Sequence, residues 1–212
     1  MNEGAGSQAT GLAGVLVRSR ELGFLGPGSV EEQVEHSRAL GRLLGTFAGR
    51  FLDLGSGGGL PGLVLLDLWP DSTGLLLDAQ ERRCRFLAEA VSELGWESRA
   101  EVRCGRAEIL AREAGLRGAF DLVIARGFGP PAVTAECGVG FLRVGGSLVV
   151  TEPPADSPGT GRWDPEGLAL LGFGPATVRR AERAGIAEMS LERMVEDRWP
   201  RRDGAPGKRP LW

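Results

Sequence analysis

Apolar residues recur along the first quarter of the chain at the spacing of an α-helix. This pattern runs over residues 12–22 and again from Ser29 to about Phe47. Ser29 is a favourable N-cap residue, and Glu31 and Glu32 follow it in the first turn, where the helix dipole favours negative charge. The pattern therefore predicts two helices ahead of the central part of the chain.

Beyond these helices the pattern changes to short apolar runs that alternate with amphipathic stretches. The runs predict five strands, at residues 50–54, 74–78, 99–104, 120–125 and 147–151. The intervening stretches predict four helices, at residues 60–69, 80–94, 107–114 and 131–142. Strands that alternate with helices in this way indicate βαβ units, and hence a parallel sheet with helices on both faces.

The last quarter of the chain has a different character. Residues 153–165 are rich in proline and glycine and predict a loop. Residues 176–184 and 186–195 predict an antiparallel strand pair that turns at Ala184-Gly185. Residues 199–212 predict an irregular tail.

Composition places the chain among ordinary globular proteins. Apolar residues make up 42% of the 212 positions and charged residues 25%. No stretch approaches the roughly 20 apolar residues that span a bilayer, and the first residues lack the basic start of a signal peptide. We therefore expect a cytoplasmic protein without a membrane segment.

Two excesses in composition carry little information by themselves. The chain has 34 glycines, and Lys208 is the only lysine among 25 basic residues. A GC-rich genome explains both, so only the placement of a glycine or an arginine is informative. The net charge of −3 argues against general affinity for nucleic acid, and any RNA contact must rely on local positive charge.

The few cysteines and the single histidine exclude several kinds of site. Cys84, Cys104 and Cys137 are widely spaced and form no C-x-x-C pair, which is typical of reduced thiols. His36 is the only histidine, and no G-x-S-x-G segment accompanies it. We therefore expect no metal site and no serine triad.

A glycine-rich segment, from Asp53 to Gly62, lies between the first predicted strand and the next helix. Gly55, Gly57 and Gly59 would let the backbone approach a ligand closely. The second strand ends at Asp78, where a carboxylate can accept the hydroxyl protons of a ribose. This arrangement predicts a nucleoside-binding turn.

The segment favours S-adenosylmethionine (SAM) over a phosphate-bearing cofactor. Its spacing is G-x-G-x-G and not G-x-G-x-x-G, and Pro61 removes a backbone donor near the helix start. Asp53 would repel a phosphate but attract the ammonium and sulfonium groups of SAM. A dinucleotide or a purely structural turn remains possible, whereas the absence of G-K-[ST] excludes a Walker A loop.

Four segments together resemble the glucose-inhibited division protein B family over about residues 30–151. They are DLGSGGGLPG, LLLDAQERRCRFLAEAVSELG, GRAE and FDLVIARGF, and the ending PRRDGAPGKRPLW is similar to that of actinobacterial members. The resemblance implies a Rossmann-like class I methyltransferase of α/β class, with a seven-stranded, mostly parallel sheet and an N-terminal helical extension. It also implies methylation of a guanine N7 in small-subunit (16S) ribosomal RNA.

The resemblance assigns residues to the cofactor site. Its cofactor contacts fall on Gly55, Leu60, Ala107, Glu108 and Arg126, and they join the residues chosen above, which are Asp53, Gly57, Gly59 and Asp78. The chain departs from the family after the fifth strand, where Glu152-Pro153-Pro154 stands in place of the usual Lys-Gly.

Methylation of a guanine N7 needs alignment with the methyl group and little acid–base help, because N7 carries a lone pair and no proton. We expect Arg126 to position the reactants and Cys137, inside a helix, to play no nucleophilic part. Expected RNA contacts are His36, Phe128 by stacking, and the basic residues of the tail, namely Arg201, Arg202, Lys208 and Arg209.

These observations divide the chain into three predicted parts. They are an N-terminal helical extension (1–48), a SAM-binding methyltransferase domain (49–196) and a basic C-terminal tail (197–212). The expected partner is ribosomal RNA or the small ribosomal subunit, and the expected state is a monomer. Two alternatives stay open, which are a small-molecule methyltransferase and a SAM-binding protein without catalytic activity.

Overall fold

A computed structural model describes residues 11–153 and 161–212. The helices it contains are α1 (Leu12–Glu21), α2 (Val30–Leu44), α3 (Gly62–Leu68), α4 (Glu81–Glu93), α5 (Ala107–Leu110), α6 (Pro131–Val139), α7 (Pro165–Leu171) and α8 (Ala205–Lys208). The strands are β1 (Arg50–Leu54), β2 (Thr73–Asp78), β3 (Ala100–Cys104), β4 (Phe120–Ala125), β5 (Leu142–Glu152), β6 (Thr177–Ala181) and β7 (Ala184–Ser190). Most of the predicted loop and the first ten residues lie outside the described residues.

The strands form one seven-stranded sheet in the order β3-β2-β1-β4-β5-β7-β6. Strands β1 to β5 are parallel, whereas β7 pairs antiparallel with β5 and with β6. The mostly parallel sheet expected from the resemblance is confirmed. The strand order reverses between β1 and β4, which is where open α/β sheets bind their ligands, beyond the carboxyl ends of the strands.

The two faces of the sheet bury separate apolar clusters. Leu52 and Leu54 of β1 face one cluster, whereas Phe51 faces the other together with Val15 of α1 and Leu40 of α2. Because successive strand residues point to opposite faces, Asp53 points toward the side that the N-terminal helices cover.

The N-terminal helices also touch the glycine-rich segment directly. The Ser19 hydroxyl of α1 donates a hydrogen bond to the Gly58 carbonyl at 2.8 Å. A Cβ at Gly58 would lie 2.4 Å from Ser19 Oγ and 3.0 Å from the Phe24 carbonyl oxygen. The close approach requires glycine, and it makes the helical extension part of the wall around this segment.

Several predicted boundaries were wrong, and glycines explain two of them. Helix α2 ends at Leu44 and not near Phe47, because Gly45 has a φ of +80° that a helix cannot continue. Gly145 and Gly146 do not start a new strand, since β5 already begins at Leu142 and bulges through them.

The C-terminal antiparallel pair is present, but its turn lies elsewhere. The strands join through residues 182–183, and Ala184 and Gly185 belong to β7. Helix α7 was missed, although Asp164 caps it by accepting from the Gly167 N–H at 2.7 Å. Helix α7 has only seven residues, which are too few to show a helical period in the sequence.

The C-terminal residues pack against the sheet and its helices. Trp199 is buried in the apolar cluster near α6, and Trp212 lies against Gly167 of α7. The guanidinium groups of Arg112 and Arg117 donate to backbone carbonyls between residues 195 and 200. The tail also contains α8, so the prediction that it is irregular was wrong there.

The division of the chain into three parts stays a prediction. Among the residues that the structure describes, no helix is long and apolar enough to cross a bilayer.

Candidate functional site

The glycine-rich segment turns sharply at the carboxyl end of β1. Gly55, Gly57 and Gly59 all have a positive φ, at +78°, +54° and +96°. The Gly55 and Ser56 N–H groups both donate to the Leu77 carbonyl at 2.9 Å, which ties the turn to the end of β2. A Cβ at Gly55 would lie 2.7 Å from the Phe128 ring, so the backbone passes close to that side chain.

Asp78 closes the end of β2 and organises the turn. Its Oδ2 accepts from the Gly57 N–H and its Oδ1 from the Gln80 N–H, both at 2.9 Å. A carboxylate has about four acceptor positions, so two backbone donors leave capacity for a ligand. The side chain is nearly buried, with Arg83 Nη1 at 3.7 Å.

A cavity of about 200 Å³ lies at the ends of β2 and β3. It brings together the predicted residues Gly55, Asp78, Ala107, Glu108 and Phe128. Val133, Cys137 and Gly207 also line it and were not predicted. Gly207 comes from the C-terminal segment, which therefore forms part of this site.

The Glu108 carboxylate holds the C-terminal segment in place. Its Oε1 accepts from Arg106 Nη2 at 2.9 Å and from the Gly204 N–H at 3.1 Å. Arg106 Nε also donates to Asp203 Oδ1 at 3.1 Å. Glu108 thus links this cavity to a segment that lies about a hundred residues further along the chain.

Asp53 is fully buried beside the turn. Its Oδ2 accepts from the Gly62 N–H at 3.0 Å, whereas its Oδ1 has no hydrogen-bond partner among the described residues. Burial raises the pKa of Asp53 to about 7, although hydrogen bonding by Ser56 and Gly62 and the positive charge of Arg126 act in the opposite direction. An unpartnered buried carboxylate oxygen of this kind suits a cationic ligand.

Arg126 follows β4, the neighbour of β1, so Asp53 and Arg126 both lie where the strand order reverses; we call the space beyond these two strand ends the crevice. Its Nη2 donates to Gln33 Oε1 at 3.0 Å, whereas its Nη1 is buried without a partner among the described residues. Burial lowers the pKa of the guanidinium below its ordinary value. Gln33 was missed by the sequence analysis, although a glutamine on the buried face of an amphipathic helix is a usable signal.

These side chains fit SAM. The unpartnered atoms of Asp53 and Arg126 carry opposite charges, as the ammonium and carboxylate groups of an amino acid require. Asp78 retains acceptor capacity for a sugar, and acidic groups flank the turn where a phosphate would have to bind. Both features agree with the prediction of a cofactor without phosphate.

Five predicted cofactor residues do not line the cavity at the ends of β2 and β3. Asp53 and Arg126 lie beside the turn, and Gly57, Gly59 and Leu60 belong to the turn itself. A Cβ at Gly59 would lie 2.4 Å from Leu63, and Leu60 is buried in the apolar cluster that faces α1 and α2.

Cys137 is buried in α6, and burial raises the pKa of its thiol well above the ordinary value. The thiol therefore stays protonated near neutral pH, in agreement with the expectation that it is no nucleophile. The described residues contain no group of three His, Cys, Asp or Glu side chains arranged to hold a metal ion.

The expected RNA contacts separate in the structure. Phe128 lines the cavity at the ends of β2 and β3, and His36 lies on α2 with its Nδ1 2.7 Å from the Arg183 carbonyl. Arg202, Lys208 and Arg209 are exposed. Arg201 is a correction to the predicted set, because its guanidinium is committed to the buried Glu136 carboxylate at 2.6 and 2.8 Å.

Comparison with known proteins identifies relatives over most of the chain. Residues 30–152 match the model of the family GidB, described as rRNA small subunit methyltransferase G. A protein with that name from Moorella thermoacetica is 34% identical over 172 residues, which cover 77% of this chain and 70% of the relative. Another, from Syntrophomonas wolfei, is 31% identical over 191 residues, which cover 87% of this chain and 87% of the relative.

Solved structures share the fold at lower identity. Cofactor-bound Rv0187 from MTB superposes with a TM-score of 0.58 and 21% identity, covering 86% of this chain and 90% of that one. The O-methyltransferase TomG from Streptomyces achromogenes, solved in complex with SAM, superposes with a TM-score of 0.55 and 18% identity, covering 84% and 90%. At these identities the likeness shows the fold alone.

Proposed function

Because the chain belongs to the GidB family of rRNA small subunit methyltransferases, we propose that it transfers the methyl group of SAM to N7 of a guanine in small-subunit (16S) ribosomal RNA. Membership of this family makes the chain a methyltransferase. The proposal adds the methyl donor, the acceptor atom and the target RNA. A cytoplasmic location, a monomeric state and the small subunit as partner belong to it.

One observation carries the cofactor part of the proposal. Asp53 Oδ1 and Arg126 Nη1 are buried, oppositely charged and unpartnered among the described residues, and they flank the crevice where the strand order reverses. Leaving such atoms without a partner costs free energy, so a ligand that pairs with both is bound favourably.

Each residue then has a defined part. Asp78 accepts from the ribose hydroxyls, Asp53 faces the ammonium group and Arg126 binds the carboxylate. Gly55 lets the backbone approach the ligand, and Ala107 and Glu108 edge the adenine. When bound, SAM supplies a methyl group on a positively charged sulfur, and the surrounding side chains hold it in a fixed direction.

The chemistry of the acceptor agrees with the side chains at the site. A guanine N7 has a lone pair and no proton, so no general base is needed and alignment supplies most of the rate. Cys137 lines the cavity at the ends of β2 and β3, but burial raises the pKa of its thiol, so the thiol stays protonated and is not a nucleophile. The exposed Arg202, Lys208 and Arg209 are available to backbone phosphates.

The proposal is tested with the full chain, labelled SAM and small ribosomal subunits from a strain that lacks the gene. We expect label in the subunit RNA, and mapping of N7-methylguanine should find a new modified position. Subunits from the parent strain are the control, because their site is already methylated. Label that goes only to metabolites would indicate a small-molecule enzyme, and SAM binding without transfer would indicate a protein without catalytic activity.

The affinity for SAM should rise with pH around neutrality. The raised pKa of Asp53, about 7, means that its carboxyl group loses a proton as pH increases. Only the charged form attracts the ammonium group, so from pH 6 to 7.5 the affinity should rise by up to about eight-fold. Calorimetry with SAM between pH 6 and 7.5 measures this change in affinity.

The control for this prediction is Asp53→Asn, which removes the titration while keeping the size of the side chain. We expect this variant to bind SAM more weakly than the wild type and with little dependence on pH over the same range. An equally steep rise in both proteins would assign the pH dependence to another group.

A further inference from the structure

A second cavity, of about 350 Å³, lies at the opposite end of the crevice. It forms where α2 meets the carboxyl end of β5 and the turn between β6 and β7, and its lining includes His36, Glu152, Pro153 and residues 180–185. The first cavity lies at the ends of β2 and β3. The ends of β1 and β4 therefore lie between the two cavities in the strand order. The crevice at these ends contains the unpartnered atoms of Asp53 and Arg126.

His36 is held in this cavity in one tautomer. Its Nδ1 lies 2.7 Å from the Arg183 carbonyl oxygen, which can only accept a hydrogen bond. Nδ1 must therefore carry the hydrogen. Burial lowers the pKa of His36. The hydrogen bond to Arg183 raises this pKa, and the charge of Arg126 lowers it further. The ring is thus neutral at neutral pH, and Nε2 is an acceptor without a partner among the described residues.

Two of the charged side chains that line this cavity are engaged in hydrogen bonds. Glu152 accepts from Trp163 Nε1 at 2.9 Å and from Arg162 Nη1 at 3.2 Å. Arg180 Nη1 donates to the Pro153 carbonyl at 2.7 Å. Three further charged residues surround the ring, namely Glu182 and Arg183 on the turn and Arg126 after β4. On α2 itself, Glu35 and Arg38 are the charged neighbours.

We propose that this second cavity receives the target nucleobase and that His36 Nε2 accepts a hydrogen bond from the N1–H or the exocyclic amino group of a guanine. The inference rests on the proposed function and deepens it by naming the group that selects the base. Single-stranded RNA bases are read by hydrogen bonds to their Watson–Crick edges, and a guanine presents two donors there. An adenine presents an unprotonated N1 in the same region, which a neutral acceptor disfavours.

Two variants of His36 separate a ligand contact from a structural one. In His36→Asn, the amide nitrogen takes the position of Nδ1 and can still donate to the Arg183 carbonyl, but no atom replaces Nε2. In His36→Gln, the end of the side chain can reach the region of Nε2, but the bond to Arg183 is lost. A ligand contact predicts that Asn impairs methylation more than Gln, whereas a structural role predicts the reverse order.

The measurement is kcat/KM for small subunits at saturating SAM, together with the affinity for SAM and the melting temperature. We expect His36→Asn to lower kcat/KM at least about ten-fold with SAM affinity and melting temperature unchanged, and His36→Gln to retain more activity. The wild-type kcat/KM should also fall as pH is lowered through the pKa of His36, since protonation removes the acceptor. His36→Asn should lack this acid limb.

A His36→Asn enzyme as active as the wild type would overturn the inference, and so would a larger loss in His36→Gln. A wild-type protein that methylates no subunit RNA would refute the proposed function instead. Binding of the SAM-saturated variants to subunits would in that case still rank the two substitutions and so test the cavity separately.

Discussion

Replacing Arg201 with alanine should lower the free energy of unfolding by about 3 kcal/mol, the lower end for breaking a buried ion pair. Glu136 is fully buried on α6. Its carboxylate accepts from Arg201 Nε at 2.8 Å, from Nη2 at 2.6 Å and from the Arg201 backbone N–H at 2.8 Å. The substitution leaves a buried charge with a single donor, and a carboxylate in that state is strongly destabilised.

Thermal and urea unfolding measure the effect. For a chain of this length, a loss of 3 kcal/mol corresponds to a decrease in melting temperature of about 6–12 °C. The control is Arg202→Ala, since Arg202 is exposed beside it and should change stability by less than about 0.5 kcal/mol. Equal melting temperatures for the two variants would show that the ion pair contributes nothing.

A double variant, Glu136→Leu with Arg201→Met, should recover much of the lost stability. Replacing a buried ion pair with apolar side chains of similar volume is often neutral. Recovery would show that the penalty comes from the unpaired Glu136 carboxylate and not from lost packing of the segment. Arg201 thus fastens the C-terminal segment next to the cofactor cavity, which Gly207 helps to line.

Asp78→Ala should weaken the affinity for SAM by about 1.5–3 kcal/mol, the range for hydrogen bonds to a charged group. This is roughly a ten- to 150-fold increase in Kd. The carboxylate accepts from the Gly57 and Gln80 N–H groups, and in the proposed function it also binds the ribose. Losing it removes a ligand contact and loosens the turn that approaches the ligand.

Calorimetry with SAM tests this prediction directly, and the thermal shift on adding SAM tests it independently. The control is Arg83→Ala, which removes the cation 3.7 Å from Asp78 Oδ2 but leaves the carboxylate and its backbone donors in place. We expect its affinity for SAM to stay within about three-fold of the wild type, as for a weak ion pair near the surface. An Asp78→Ala protein with unchanged affinity would remove the ribose assignment.

The central part of the fold was predictable because each signal is local. The strands at 50–54 and 120–125 agree with β1 and β4 in the structure, and Gly55 and Asp78 were placed correctly at strand ends. In a parallel sheet all carboxyl ends meet at one edge, so residues that follow different strands come together without any knowledge of the pairing. The boundaries were less predictable, since helices such as α7 are too short to establish a period.

The sequence by itself therefore determined the class of fold and the position of the glycine-rich turn, and it predicted SAM over a phosphate-bearing cofactor. Only the tertiary structure decided that Gln33 holds Arg126, that Arg201 neutralises Glu136 and that His36 is fixed by Arg183. These pairs are separated by 93, 65 and 147 positions along the chain. Local periodicity reports which face of an element is buried, but it holds no information about which distant side chain will meet that face.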